Sequence, residues 1–133
     1  MAAYIARAAN GDDLIYGLWD DKRLVGYFFL WYFRQPVALL GIGLRDAFHG
    51  LGLGRQLMEI LIRAARENGN EGIELTTFQD NERAFALYQK VGFQYLRDVE
   101  NRTGDGRLVI ERAMFLALKP GAQPIDGPHQ PPV

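Results

Sequence analysis

The stretch HGLGLGRQL, residues 49–57, sets glycine at positions 50, 52 and 54 and then runs without a break into a helical pattern. Glycine inside a regular element costs roughly 0.5–1 kcal/mol relative to alanine, so three within five residues require a compensating reason. A backbone that must come very close to another group supplies one. The flanking patterns decide the fold. VALLGIGL, residues 37–44, is a short apolar run of strand type. From Leu53 onward, apolar side chains recur at Leu57, Ile60, Leu61, Ala64 and Ala65, and Gly69 stands where a helix with one buried stripe would end. A strand, a glycine turn and a helix therefore follow one another.

Working outward, LIYGLW (14–19) and LVGYFFLWYF (24–33) are rich in aromatic and branched residues and are separated by DDKR, as in a hairpin. With residues 37–44 they predict an antiparallel meander. Strict alternation over residues 24–33 puts Leu24, Phe28, Leu30 and Tyr32 on one side and Val25, Tyr27, Phe29, Trp31 and Phe33 on the other. Both sides are apolar and need cover. On the carboxyl side, GIELTTF (72–78) reads as a strand, and NERAFALYQKVGF (81–93) as a helix with Ala84, Phe85, Leu87, Tyr88 and Val91 inward and Gly92 as its stop. FQYLRDVEN (93–101) and RLVIERAMFLAL (107–118) form a final hairpin around RTGDG, whose glycines permit positive φ. The class is α/β (α+β): a mixed, mostly antiparallel central sheet flanked by helices. One domain over residues 1–118 is expected, followed by a disordered tail, residues 119–133, which holds five of the six prolines.

Composition narrows the function. A formal charge of -1 supplies no general field for nucleic acid or anionic lipid. With no cysteine and only His49 and His129 as histidines, little material exists for a metal centre, and none is expected. The amino terminus has no basic stretch followed by an apolar core, and the longest apolar run is about half a membrane span. No membrane partner and a cytoplasmic location are the resulting expectations.

Between a strand and a helix, the amides of the glycine run and the helix dipole together form a site for an anion, most naturally phosphate. No Lys-Ser/Thr follows, as a Walker loop needs, and the acidic partner of a dinucleotide fold is missing. A plain tight strand-to-helix turn remains the alternative. Gly41 and Gly43 in the strand before it fit either a close approach by a ligand or tight packing against a neighbour.

These residues resemble the GNAT superfamily of acetyl-coenzyme A dependent N-acetyltransferases. The family pattern is Arg or Gln, two residues, Gly, one residue, then Gly or Ala; His49-Gly50-Leu51-Gly52-Leu53-Gly54 matches it except at the first position. A second mark is Asn81 followed by Ala84, Leu87-Tyr88 and Gly92-Phe93. The resemblance covers residues 14–118. It implies that the pyrophosphate of acetyl-coenzyme A lies on the loop made by His49, Gly50, Leu51, Gly52, Leu53, Gly54 and Arg55. The pantetheine arm would then pair with the strand near Ile42, Gly43 and Leu44 and touch Asn81. It further implies that Tyr88 donates a proton to the departing thiolate, a role that suits a phenol of pKa about 10 beside a thiol of about 8.5. A core aromatic is the other reading of Tyr88.

His49 at the loop entrance carries full charge only below about pH 6.5. Family members often carry a glutamate on the strand before the loop, but residues 37–44 hold no ionisable side chain, so the base stays unassigned. Glu74 and Asp80 are candidates, but each reads first as a solvated or capping carboxylate. The family also has a strand and two helices before the first hairpin, where thirteen residues stand here. The function implied is transfer of acetyl to the primary amine of a small molecule or protein. A non-catalytic coenzyme A binding module is the alternative, and an interaction domain without ligand is a third. The bare sheet face left by only two helices predicts a homodimer.

Overall fold

The computed structural model of the chain describes residues 3–9, 13–44 and 52–124. Along them run β1 (Ala3–Ala9), β2 (Leu14–Asp20), β3 (Arg23–Trp31), β4 (Val37–Leu44), α1 (Leu53–Asn68), β5 (Gly72–Phe78), α2 (Glu82–Val91), β6 (Gln94–Arg102) and β7 (Leu108–Ala117). The strands form one seven-stranded sheet in the order β1-β2-β3-β4-β5-β7-β6. β1 to β4 are antiparallel neighbours, β4 and β5 are parallel, and β7 lies antiparallel to both β5 and β6. This is the mixed, mostly antiparallel sheet that the sequence implies.

A parallel pair needs a crossover connection, and α1 provides it. The crossovers β4-α1-β5 and β5-α2-β6 step in the same direction across the sheet, so right-handed connections place both helices on one face. The core lies there. Leu57, Met58, Leu61 and Ala65 of α1 pack on Phe28, Leu30, Leu40, Ile73 and Leu75, with Phe85, Tyr88 and Val91 of α2 partly buried beside them. Each large apolar side chain so buried contributes about 1.5–3 kcal/mol. α1 ends as expected at Gly69, whose φ of 85° lets its N–H reach the carbonyls of Ala65 and Arg66.

Three features differ from the sequence reading. β1 was not foreseen, because AYIARAA is rich in alanine, which strands disfavour. Its pairing with β2, from Ala3↔Asp20 to Ala9↔Leu14, is what orders it. It joins β2 through residues 10–13, too short a link for a helix. Second, the alternation along β3 is broken by a bulge. Trp19 pairs with Leu24 and Leu18 with Gly26, so Val25 is the extra residue and turns into the core beside Phe28 and Leu30. Leu24 therefore shares the outer face with Tyr27, Phe29 and Trp31. The strand stops at Trp31, since Tyr32 takes a positive φ of 59° to open a turn, and Phe33 packs back against the core. Third, the family topology implies that the second helix covers part of the other face of the sheet, whereas α2 packs with α1 on one face and covers none of the outer one. Of the expected tail, residues 119–124 are described, with the Lys119 and Ala122 N–H groups donating to the carbonyls of Glu71 and Lys119. Residues 125–133 lie outside the described residues.

The glycines of β4 are packing positions. A Cβ on Gly41 would lie 2.1 Å from Cζ of Phe29, and one on Gly43 would lie 2.7 Å from the Tyr27 ring. Both rings come from the directly opposed residues of β3 and lie over the backbone of β4. Gly41→Ala is therefore expected to lower unfolding free energy by about 1–3 kcal/mol, the usual cost of overpacking. Combined with Phe29→Ala the added cost should fall below about 0.5 kcal/mol, because the collision is gone. Urea titration of the double-mutant cycle checks this, and additive effects would contradict it.

Candidate active site

The ladder between β4 and β5 is short. It pairs Val37 with Gly72, Ala38 with Ile73 and Leu39 with Glu74, and then stops. β4 nevertheless continues to Leu44, still paired with β3 as far as Gly26↔Leu44, while β5 continues to Phe78, paired with β7. The two strands thus part into a V. Among the described residues no strand pairs with residues 40–44 of β4 on the β5 side. Backbone groups left in that position need a partner from water or a ligand. A cavity of about 200 Å³ occupies the opening, with Leu39, Leu40, Gly41 and Ile42 on one wall and Leu75 and Thr76 on the other.

Tyr88 lines this cavity from the helix side. Its place on α2 is fixed by the residues that follow it. Gly92, at φ 121°, and Phe93 both donate their N–H groups to the Tyr88 carbonyl, at 3.2 and 3.0 Å. The ring of Phe93 is buried and sits 6.1 Å from that of Tyr88. Burial pushes the Tyr88 phenol above its ordinary pKa of 10.0, so the hydroxyl keeps its proton across the neutral range. At the other end of α2, Asn81 is the N-cap, and its Oδ1 accepts the Ala84 N–H at 3.1 Å. Arg112 of β7 ties that end down, with Nη2 3.0 Å from Oε1 of Glu82 and its guanidinium 4.4 Å from the centre of the Phe85 ring.

α1 starts close to α2, near Leu87. Gly52 is its N-cap at φ 75°, a left-handed conformation that a side chain rarely adopts. The cap has no side-chain hydrogen bond, and the first turn holds no acidic residue. A Cβ on Gly52 would meet nothing within 4 Å, whereas one on Gly54 would touch Leu87, the neighbour of Tyr88, at 3.9 Å. Leu53 packs against the core, and Arg55 reaches Glu59 at 3.3 Å. His49, Gly50 and Leu51 lie outside the described residues. Of the strand positions named from sequence, Ile42 lines the cavity, Gly43 lies under Tyr27, and Leu44 is described by its backbone pairing alone.

Glu74 departs from the sequence reading, whereas Asp80 keeps to it as a solvated carboxylate at the start of α2. Glu74 is only 1% exposed, and its Oε1 lies 3.5 Å from Nη2 of Arg97, so it is neither solvated nor a cap. Asp80 is exposed and precedes the cap. Tyr27, Phe29, Trp31, Leu39, Leu75 and Thr76 were missed as lining residues, because only the parting of β4 from β5 brings them to one opening. Among the described residues no group of three or more His, Cys, Asp or Glu side chains could hold a metal ion.

With this geometry in hand, comparison with known proteins is informative. Residues 1–93 match the family model described as Acetyltransferase (GNAT) family. Among curated relatives, the uncharacterized N-acetyltransferase YdgE of Bacillus subtilis is 37% identical over 80 residues, a match covering 56% of this chain and 50% of that one. The chain therefore spans about half the length of that relative. Two solved structures share the fold. The ribosomal-protein-S18-alanine N-acetyltransferase of Escherichia coli has a TM-score of 0.71 at 24% identity, covering 88% of this chain and 76% of the other. The putative acetyltransferase yncA of Salmonella typhimurium, solved with acetyl-CoA, has a TM-score of 0.69 at 21% identity, covering 86% and 70%.

Proposed function

The chain belongs to the GNAT acetyltransferase family, and from that premise we propose that it transfers acetyl from acetyl-coenzyme A to a primary amine by direct attack. The observation that carries this reading is the open ladder between β4 and β5 with Tyr88 lining it. An extended, amide-bearing arm fits beside residues 40–44, because it can satisfy backbone groups that no strand meets there. The uncapped start of α1 offers its amides and dipole to the phosphates, and the open space above Gly52 admits them. In the transfer, the amine nitrogen bonds to the thioester carbonyl carbon, the C–S bond breaks, and the amine proton leaves to solvent. Tyr88 holds a proton toward the departing sulfur, which is why a buried phenol suits the position.

A folded-state ligand at a hundredfold excess over its Kd adds about 2.7 kcal/mol of stability. Acetyl-coenzyme A is therefore expected to raise the melting temperature clearly, and Gly52→Val to abolish that rise relative to its own ligand-free melt. An unchanged rise in the variant would remove the loop from the site. Tyr88→Phe is expected to lower kcat by about 10²-fold or more while cofactor affinity stays within about twofold. Normal turnover in that variant would make Tyr88 a packing residue only.

A twofold partner completes the proposal. With both helices on one face, Leu24 (40% exposed) and Tyr27 (51%) stand open on the other. Light scattering at micromolar concentration is expected to give twice the 15.0 kDa of one chain. A mass near 15.0 kDa that persists on concentration would reject the dimer.

A further inference from the structure

We infer that the acceptor is a monoamine carried on a flat aromatic body, which packs against the edge of Phe29 and against Trp31. The inference rests on the acetyl-transfer reading and extends it to the substrate. It starts from the outer face of the sheet. The rings of Phe29 and Trp31 are 4.1 Å apart at 28°, and Tyr27 continues the row with its ring 6.0 Å from Phe29 at 6°. The row is drawn toward the opening by what β4 lacks. Gly41 lies under Phe29 with no side chain to hold the ring off, so the ring extends across β4 to the edge of the V. Phe29 and Trp31 then line the same cavity that Tyr88 lines from the helix side. The opening therefore passes between the two faces of the sheet, with the proton donor on one and an aromatic wall on the other.

Charge selects among amines. The described residues lining the cavity carry no charged side chain. A polyamine or other dication would bring a second ammonium to a wall with no carboxylate to receive it, and desolvating that charge is costly. A monoamine meets the opposite situation. Desolvation lowers the pKa of an ammonium from its value of about 10.4 in water, so the apolar wall itself favours the neutral, nucleophilic form. The strand before the glycine loop can then lack an ionisable residue, as residues 37–44 do. A planar ring adds edge-to-face contact with Phe29 and aromatic contact with Trp31 that a flexible alkyl chain of equal size cannot match.

The test titrates coenzyme A-saturated protein by calorimetry with 2-phenylethylamine, hexylamine and spermidine, and measures kcat/KM for each with acetyl-coenzyme A. 2-Phenylethylamine is expected to exceed hexylamine by about tenfold in both affinity and kcat/KM, the scale of one aromatic contact, with spermidine weakest. Phe29→Leu should reduce that advantage to less than about threefold, and Trp31→Leu supplies the same test should the first variant fold poorly. Hexylamine or spermidine performing as well as 2-phenylethylamine, no binding by any of the three, or an advantage that survives in both variants overturns the acceptor class. Failure of coenzyme A itself to bind overturns the acetyl-transfer reading beneath it.

Discussion

β4 and β5 are hydrogen-bonded only where Val37 to Leu39 face Gly72 to Glu74, and beyond that point each strand follows its other neighbour. A central strand that gives up half its ladder carries a cost, since a buried backbone group without a partner is unfavourable by about 1–3 kcal/mol. The rest of the molecule holds the two strands where this cost cannot be relieved by closing the gap. α1 bridges them on one face through Leu57, Met58 and Leu61, and α2 seats Tyr88 against the opening. On the other face the rings of Phe29 and Tyr27 lie across the glycines of β4. In the proposed function, a ligand with its own backbone-like amides would complete the interrupted ladder, and the free energy withheld from folding would become available for binding.

The two helices serve this opening differently. α1 is anchored by four buried side chains and presents an N-terminus with no side-chain cap hydrogen bond and no acidic residue in its first turn, a fixed positive end. α2 has no fully buried residue. Its position depends on its ends: the Asn81 cap and the Arg112 contacts with Glu82 and Phe85 at the start, and the Gly92-Phe93 turn at the finish. Tyr88 lies close to the better-held end, where two N–H groups converge on its carbonyl. A Cβ added at Gly54 would lie 3.9 Å from Leu87, so the start of α1 comes close to α2 there.

Much of this was legible in the amino-acid sequence because it is local. The three-and-four spacing from Leu53 to Ala65 and the stop at Gly69 are properties of one helix, and α1 has those bounds. The strand-type composition of residues 72–78 and 108–117 likewise needed no tertiary information. β1 was illegible since its alanines become a strand only by pairing with β2. The bulge at Val25 was hidden as well: every residue from Leu24 to Trp31 except Gly26 is apolar, so a one-residue shift leaves the hydrophobic pattern unchanged while exchanging the faces. Gly41 and Gly43 were recognised as close-approach positions, but the approaching groups, Phe29 and Tyr27, are set by register with β3. The buried pairing of Glu74 with Arg97 spans two strands and leaves no trace in spacing.

Amide hydrogen exchange over residues 40–44, with and without coenzyme A, tests most directly whether the open ladder receives the cofactor. If the arm pairs with β4, exchange of amides in this segment slows on ligand binding, while amides of β6 and the distant half of β7 are unaffected. Binding of coenzyme A, seen as a melting shift, with unchanged exchange throughout residues 40–44 would contradict the account.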